Sequence, residues 1–193
     1  MKYAVHEIGR GDIAIDRTVE AMGKLARAAM TKKPIVVLAS SIVRNGASGV
    51  GGQSTGGRST AALDVYRYLA DPSVMIFQED PVMPAIAREP VELVRDPVIY
   101  ANELLNRRGP VRGDCDDRST LGAALLGALG LAPVFIVVQP VGETEYKHVL
   151  FGYMKNAARG VEDLDNIVPM DPQERFQPGQ WIPNVSRLKV YAV

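Results

Sequence analysis

The hydrophobic pattern of this chain changes its period near residue 130, and this change constrains the fold more than any other feature. Residues 115–130 (CDDRSTLGAALLGALG) repeat apolar residues at helical spacing from Leu121 to Leu129, and Gly130 is a typical residue for ending a helix. The segments that follow, APVFIVVQP, KHVLFGYMK, NIVPMDP and SRLKVYAV, are short and separated by turn residues, which is typical of strands. Helices followed by strands predict an α+β fold.

The part of the chain before residue 115 is predicted to be mainly helical. Helical spacing covers residues 18–30, 60–70 and 97–108, and the last of these has Asp96 as its cap and Pro97 at its first position, with Gly109 as its stop. The β-branched run PIVVLASSIV at residues 34–43 predicts a buried strand, and SVMIF at residues 73–77 predicts another. Residues 78–92 are rich in proline and predict an irregular surface connection.

Domain organisation follows from length and from one glycine-rich segment. The 193 residues fit a single domain, 1–193, in which an N-terminal helical extension carries a glycine-rich loop at residues 45–59. The end of this loop, Gly52–Ser59, matches a phosphate-binding loop except that Arg58 replaces the lysine, and a predicted strand precedes it. A guanidinium does not replace the compact ammonium of lysine. Nucleotide binding is therefore the less favoured interpretation, and the preferred one is a loop that orders against a partner or covers the site.

Charge and cysteine content exclude several classes of function. Lysine plus arginine and aspartate plus glutamate both number 22, without a long run of one sign, so we expect neither a nucleic-acid partner nor a polybasic membrane anchor. No apolar stretch reaches the roughly 20 residues that cross a bilayer. The single cysteine excludes an intrachain disulfide, and the first residues lack the order of a secretory signal, so we expect synthesis in a reducing cytoplasm.

The single cysteine, Cys115, lies at the predicted start of a helix, where unpaired N–H groups and positive potential lower the pKa of a thiol. Three neighbouring carboxylates, Asp114, Asp116 and Asp117, act in the opposite direction. A reactive thiolate here therefore needs a cationic neighbour.

Two later residues complete a candidate Cys-His-Asp site. His148 begins the predicted strand KHVLFGY and can be held rigidly against the helix end, whereas His6, the only other histidine, lies near a terminus and is less suited. Asp171, in the strand-like segment IVPMDP, can accept the second imidazole N–H from the next strand and so fix the tautomer.

These segments together resemble a known family. GDCDDRSTLGAALLGALGLAP, then KHVLFGY, then VPMDP followed by PGQWIP, are similar to the core of the transglutaminase-like superfamily in the order Cys, His, Asp, with intervals of 33 and 23 residues. The resemblance covers about residues 75–183, and the lead-in segments FQEDP and VELVRDP resemble compact bacterial and phage members. It implies a papain-like architecture, in which the cysteine opens a helix that packs on an antiparallel sheet.

The resemblance also implies an activity that requires no cofactor and no metal. Cys115 would attack the carbonyl of a peptide or protein amide, His148 would shuttle the proton, and Asp171 would orient the imidazole. Water as acceptor gives hydrolysis, and an amine as acceptor gives cross-linking. The likeness to phage or prophage members suggests incorporation in a virion, tail or baseplate, with other phage structural proteins as partners.

Several alternatives stay open at this level. Cys115 can be a small buried hydrophobe, and the chain can be a structural component of a phage particle that keeps the fold without catalysis. The three aspartates can bind a cation, although they lack the spaced oxygen ligands of an EF-hand. Capping is the preferred role for Asp116 and Asp117, whereas Asp114 is a candidate for binding the amine of a peptide.

Three further side chains are candidates for supporting roles. Trp181, in PGQWIP, is expected to pack near the mouth of the site and to contact substrate. The backbone N–H of Cys115 is expected to form part of an oxyanion hole, and Gln78 and Asn102 are candidates for its second donor.

Overall fold

The structure, a computed structural model, describes residues 3–7, 12–48, 57–79, 91–106 and 109–193. Its helices are α1 (Asp12–Ala29), α2 (Lys33–Ser48), α3 (Arg58–Ala70), α4 (Pro97–Leu105) and α5 (Cys115–Ala128). Its strands are β1 (Tyr3–Glu7), β2 (Met75–Phe77), β3 (Val91–Arg95), β4 (Val111–Gly113), β5 (Ala132–Pro140), β6 (His148–Met154), β7 (Ile167–Met170) and β8 (Val185–Ala192).

The last four strands form one antiparallel sheet in the order β7-β6-β5-β8. This confirms the α+β class and the four strands predicted after residue 130. Two small pairs lie outside this sheet, since β1 pairs antiparallel with β3 and β2 pairs parallel with β4.

The two faces of the antiparallel sheet bury separate apolar clusters because side chains alternate along a strand. Along β5, Phe135 and Val137 join the larger core, which the helices cover. Val134, Ile136 and Val138 join a smaller cluster on the outer face. The outer cluster packs against Trp181, Ile182 and Val185, in the segment that leads into β8.

Helix α5 is the centre of the larger core. Every residue from Asp116 to Leu126 is buried, so this helix has no solvent face. It packs on β5 and β6 on one side and on α1, α2, α3 and α4 on the others. The alanines and glycines of GAALLGA allow this close packing from several directions.

The prediction of a strand at residues 34–43 is wrong, because this segment lies inside α2. Ile35, Leu38 and Ile42 are buried at helical spacing, whereas Val36 and Val37 are exposed by 39% and 43%. The β-propensity of the β-branched residues is overridden by the burial of one helical face against α3, α4 and α5.

The boundaries of the glycine-rich loop are also corrected. Residues 45–48 form the last turn of α2 and residues 58–59 open α3, while residues 49–56 lie outside the described part of the chain. Gly46 lies within α2, and a Cβ there would lie 2.4 Å from Cγ of Asp64 in α3, so this close contact between the two helices requires a glycine. A helix and not a strand therefore precedes the phosphate-loop motif, which removes the context that this motif requires.

Other predicted helix ends agree with the structure to within a few residues. Asp96 caps α4 by accepting a hydrogen bond from the backbone N–H of Val98 at 2.8 Å, as predicted. The helix ends at Leu105 and not at residue 108, and Gly109 has the predicted left-handed conformation with φ of 89°. Helix α1 begins six residues earlier than residue 18, and residues 80–90 of the proline-rich connection lie outside the described ranges.

Candidate thiol site

Cys115 is the first residue of α5, and the residue before it caps the helix. Oδ1 of Asp114 accepts hydrogen bonds from the backbone N–H groups of Asp116 and Asp117, at 3.2 and 3.5 Å. The half-buried Cys115 packs against the larger core. The thiol therefore lies at the positive end of a 14-residue helix, where a thiolate is stabilised.

The aspartates around Cys115 are held by structural hydrogen bonds. Oδ1 of Asp117 accepts from the backbone N–H of Arg95 at 2.8 Å, and its Oδ2 accepts from the hydroxyl of Tyr100 at 2.6 Å. Oδ1 of Asp116 accepts from the backbone N–H of Asp117 at 2.7 Å. The N-cap role thus belongs to Asp114, which corrects our preference for Asp116 and Asp117 as caps, while the expected role of Asp114 in binding a substrate amine stays a prediction.

The three carboxylates come within 4.8 Å of one another, a spacing that could hold a cation. Each carboxylate, however, accepts the hydrogen bonds just described, which account for the cluster by helix capping and by the attachment of α5 to β3 and α4.

His148 and Asp171 are in contact. Nε2 of His148 lies 2.8 Å from Oδ2 of Asp171, and the carboxylate is almost fully buried, with 2% of the residue exposed. The strand register explains the contact, because β7 pairs with β6 up to Phe151 and Met170, which brings the next residue, Asp171, towards the start of β6.

The orientation of the Asp171 carboxylate is fixed by its own turn. Oδ1 accepts hydrogen bonds from the backbone N–H groups of Gln173 and Glu174, at 3.2 and 3.1 Å. The remaining oxygen, Oδ2, faces the imidazole. Because a carboxylate oxygen accepts hydrogen bonds, Nε2–H is the donor, which leaves Nδ1 of His148 to exchange a proton with another group.

Contacts between α5 and β6 place Cys115 at the same end of the sheet as His148. The hydroxyl of Ser119 donates to the backbone carbonyl of Val149 at 3.1 Å, and Gly122 packs so closely on Phe151 that a Cβ would lie 2.6 Å from the ring. Helix and strand therefore run in the same direction. From Ser119 back to Cys115 the helix covers about 6 Å, or roughly two strand residues, which puts the cysteine level with the start of β6.

A buried cation, Arg118, lies one helical turn after Cys115 on α5 and interacts electrostatically with Cys115 and Asp171. It is 6% exposed, and its Nη2 donates to the backbone carbonyl of Met75 at 3.3 Å. Burial lowers the pKa of Arg118, and the charges of Asp171 and of a Cys115 thiolate oppose this by favouring the guanidinium form. Arg118 is thus within electrostatic range of both groups. The spacing of three residues from Cys115 could have indicated it from the sequence.

Helix α3 closes the site on the side of Asp171. The hydroxyl of Tyr66 donates to the backbone carbonyl of Phe176 at 2.7 Å and so fixes the segment after Asp171. Burial, together with the charge of Asp171, raises the pKa of Tyr66. No sequence signal indicated Tyr66, since it contacts the site from a helix that lies more than 100 residues earlier in the chain.

Trp181 does not lie near this site. It packs in the outer cluster with Ile136, Val138 and Leu188, on the sheet face opposite α5. The expectation that Trp181 packs near the mouth of the site is therefore not met, because the chain crosses to the outer face of the sheet before it enters β8.

The two oxyanion-hole candidates differ in position. Gln78 donates its backbone N–H to the carbonyl of Gly113 at 3.1 Å, two residues before Cys115, and its side chain accepts from Arg112. Asn102 is exposed on α4 and donates to the carbonyl of Val98 within its own helix, so it is not directed to the site.

Comparison with protein-family models, curated proteins and solved structures finds no match to this chain. Within the described residues, none of the helices combines the length and the apolar character that a membrane crossing requires.

Proposed function

We propose that this chain is a thiol-dependent amide hydrolase or acyltransferase that uses Cys115, His148 and Asp171. The bond of 2.8 Å between His148 and a buried, doubly anchored Asp171 carries the proposal, since it lies at the sheet end where Cys115 begins α5. A buried carboxylate that orients an imidazole is the arrangement by which a histidine serves as base and then as acid.

The proposed reaction proceeds through a thioester. The Cys115 thiol gives its proton to Nδ1 of His148, and the sulfur attacks the carbonyl carbon of an amide. The C–N bond then breaks while His148 returns the proton to the leaving amine. Attack by water on the thioester releases the acid and restores the thiol, and attack by an amine forms a new amide.

Arg118 and the start of α5 offset the negative charge that Asp114, Asp116 and Asp117 place near Cys115. The helix start favours the thiolate, and the buried guanidinium compensates the negative charge of Cys115 and Asp171. The backbone N–H of Cys115 is the proposed first donor of the oxyanion hole.

We also propose a papain-like, transglutaminase-like topology. The support is the order of the elements, in which the helix that begins at Cys115 packs on an antiparallel sheet and the two adjacent strands β6 and β7 lead to His148 and Asp171. The phage or prophage context, with peptide or protein amides as substrates, follows from the sequence resemblance alone.

Alkylation by iodoacetamide tests the proposal. We expect Cys115 to react at pH 7 faster than the thiol of glutathione, and His148→Ala to slow the reaction, while His6→Ala, which removes the other histidine, leaves the rate unchanged. A structural particle component without a reactive thiol would show no acceleration and no effect of His148→Ala. Release of ammonia from a glutamine peptide, or of an amine from a peptide bond, then identifies the substrate class.

A further inference from the structure

A large cleft lies between α2, α3 and the end of α4, away from the candidate thiol site. Its volume is about 730 Å³. Val74 and Gly109, which precede β2 and β4, line it, whereas Cys115 follows the other end of β4. The cleft and the thiol are therefore at opposite ends of the β2–β4 pair.

The cleft contains a largely buried carboxylate. Asp64 of α3 is 7% exposed and lines the cleft. The carboxylate fits only because residue 46 is glycine, since a Cβ there would overlap Cγ of Asp64 at 2.4 Å. Burial raises the pKa of Asp64, and the charge of Arg67, one turn later in the same helix, partly opposes this. A largely buried carboxylate that lines a cleft is stabilised by a ligand that donates hydrogen bonds to it.

Three helix ends add negative potential to the same cleft. It is lined by Asn45 and Gly46 in the last turn of α2, by Tyr68 near the end of α3, and by Leu104 at the end of α4. The carboxyl ends of helices carry partial negative charge, so all three favour a cation. Asp71 also lines the cleft, and hydrogen bonds from the side chain and from the backbone N–H of Ser73 hold the pKa of its carboxyl below the usual value.

The cleft wall combines apolar and polar side chains. Leu38, Ile42, Val74 and Leu104 line it between the polar groups, and Arg67, which is exposed, is the one cationic side chain among its described lining residues. A ligand that fits both the Asp64 carboxylate and the apolar residues of the cleft carries a positive charge on an apolar stem. We propose that this cleft binds a primary alkylammonium group, with Asp64 as its counter-ion, in the form of a small aliphatic amine or of a lysine side chain.

Binding of n-pentylamine, with n-pentanol as the uncharged match, tests the proposal. Titration followed by amide chemical shifts should show pentylamine binding in the millimolar range, with shifts at residues 42–46 and 64–68, and at least tenfold weaker binding of pentanol. Acetyl-lysine methylamide provides a second arm. Tighter binding of the lysine derivative identifies a peptide as the source of the ammonium, and tighter binding of pentylamine identifies a small amine.

Two variants make the proposal falsifiable. Asp64→Asn keeps the shape of the side chain and should weaken pentylamine binding about tenfold or more without weakening pentanol binding. Leu105→Lys, at a lining position that is 36% exposed, should place a competing ammonium in the cleft and weaken pentylamine binding as well. Asp163→Asn, remote from the cleft in the segment before β7, serves as the control. Equal binding of pentylamine and pentanol, or unchanged binding in both variants, overturns the proposal.

Discussion

Replacement of Asp171 by asparagine isolates the charge of the proposed triad from its shape. The amide oxygen of the new side chain can keep the hydrogen bonds from the backbone N–H groups of Gln173 and Glu174, so the turn is retained. The amide NH₂ group then faces Nε2 of His148 in place of Oδ2. A donor in this position requires Nε2 to be the unprotonated nitrogen, so the proton moves to Nδ1, which can no longer accept the thiol proton.

The size of the effect follows from the contact that is lost. A hydrogen bond to a charged group contributes about 1.5–3 kcal/mol. Each 1.4 kcal/mol changes an equilibrium constant about tenfold, so the population of the thiolate–imidazolium pair should fall roughly 10- to 100-fold. Because the thiolate is the reactive form, the rate of alkylation of Cys115 at a fixed pH should fall by the same factor.

The assay is the pseudo-first-order rate of iodoacetamide alkylation, measured from about pH 5 to about pH 9. Asp163→Asn is the matched control, because it removes one carboxylate from a partly exposed ion pair with Arg159. The reasoning is refuted if Asp171→Asn is folded by circular dichroism and alkylates at the wild-type rate. A double variant with His148→Ala should show little further loss, since the aspartate acts through the histidine.

Three further predictions concern the surroundings of the two sites. Tyr100→Phe should lower the free energy of unfolding by about 1–3 kcal/mol, measured by urea denaturation, because the buried Asp117 loses the hydrogen bond from the Tyr100 hydroxyl to its Oδ2. Gly122→Ala should destabilise the fold by about 1–3 kcal/mol and slow alkylation of the thiol, because the new Cβ overlaps the ring of Phe151 and pushes α5 from β6. Asp64→Asn should stabilise the protein at pH 7, and this gain should shrink as the pH falls towards 4, the region of the ordinary pKa of 3.8.

The sign of the last prediction follows from proton linkage. Burial raises the pKa of Asp64, so the folded chain binds a proton there more tightly than the unfolded chain. Folding is then favoured as the pH falls from the raised pKa towards 3.8, and ionisation of this carboxyl at neutral pH destabilises the fold. A gain for Asp64→Asn that stays constant between pH 7 and 4 contradicts the raised pKa.

The predictions for Tyr100→Phe and Gly122→Ala each have a matched control variant. Tyr68→Phe removes the hydroxyl of a half-buried tyrosine whose pKa is raised by burial and by the charge of Asp71, so it should change stability less than Tyr100→Phe. Gly127→Ala lies in the same helix as Gly122, but its Cβ meets only the flexible side chain of Met30, which can move aside. If Gly127→Ala destabilises α5 as much as Gly122→Ala, the effect reflects the helix in general and not its contact with β6.

Local signals in the sequence were enough for the elements around the candidate site. Helix α5 and the four strands after it were predicted because periodicity and turn residues agree with the tertiary context there. The cap at Asp96 is local chemistry, since a carboxylate two residues before a backbone N–H can accept its hydrogen bond wherever the helix packs. The order Cys115, His148, Asp171 likewise suggested a contact between the last two residues, and this contact is present.

Tertiary structure decided what local patterns left ambiguous. Residues 34–43 satisfy both a β-propensity rule and a helical burial pattern, and the neighbouring helices selected the second because they bury Ile35, Leu38 and Ile42 together. The position of Trp181 on the outer face of the sheet and the approach of Tyr66 to Asp171 depend on chain crossings that no short segment encodes. The sequence alone therefore determined which groups can carry the chemistry, and the packing of α3 and α5 on the sheet determined which charges surround them, because desolvation and distance are properties of the assembled core.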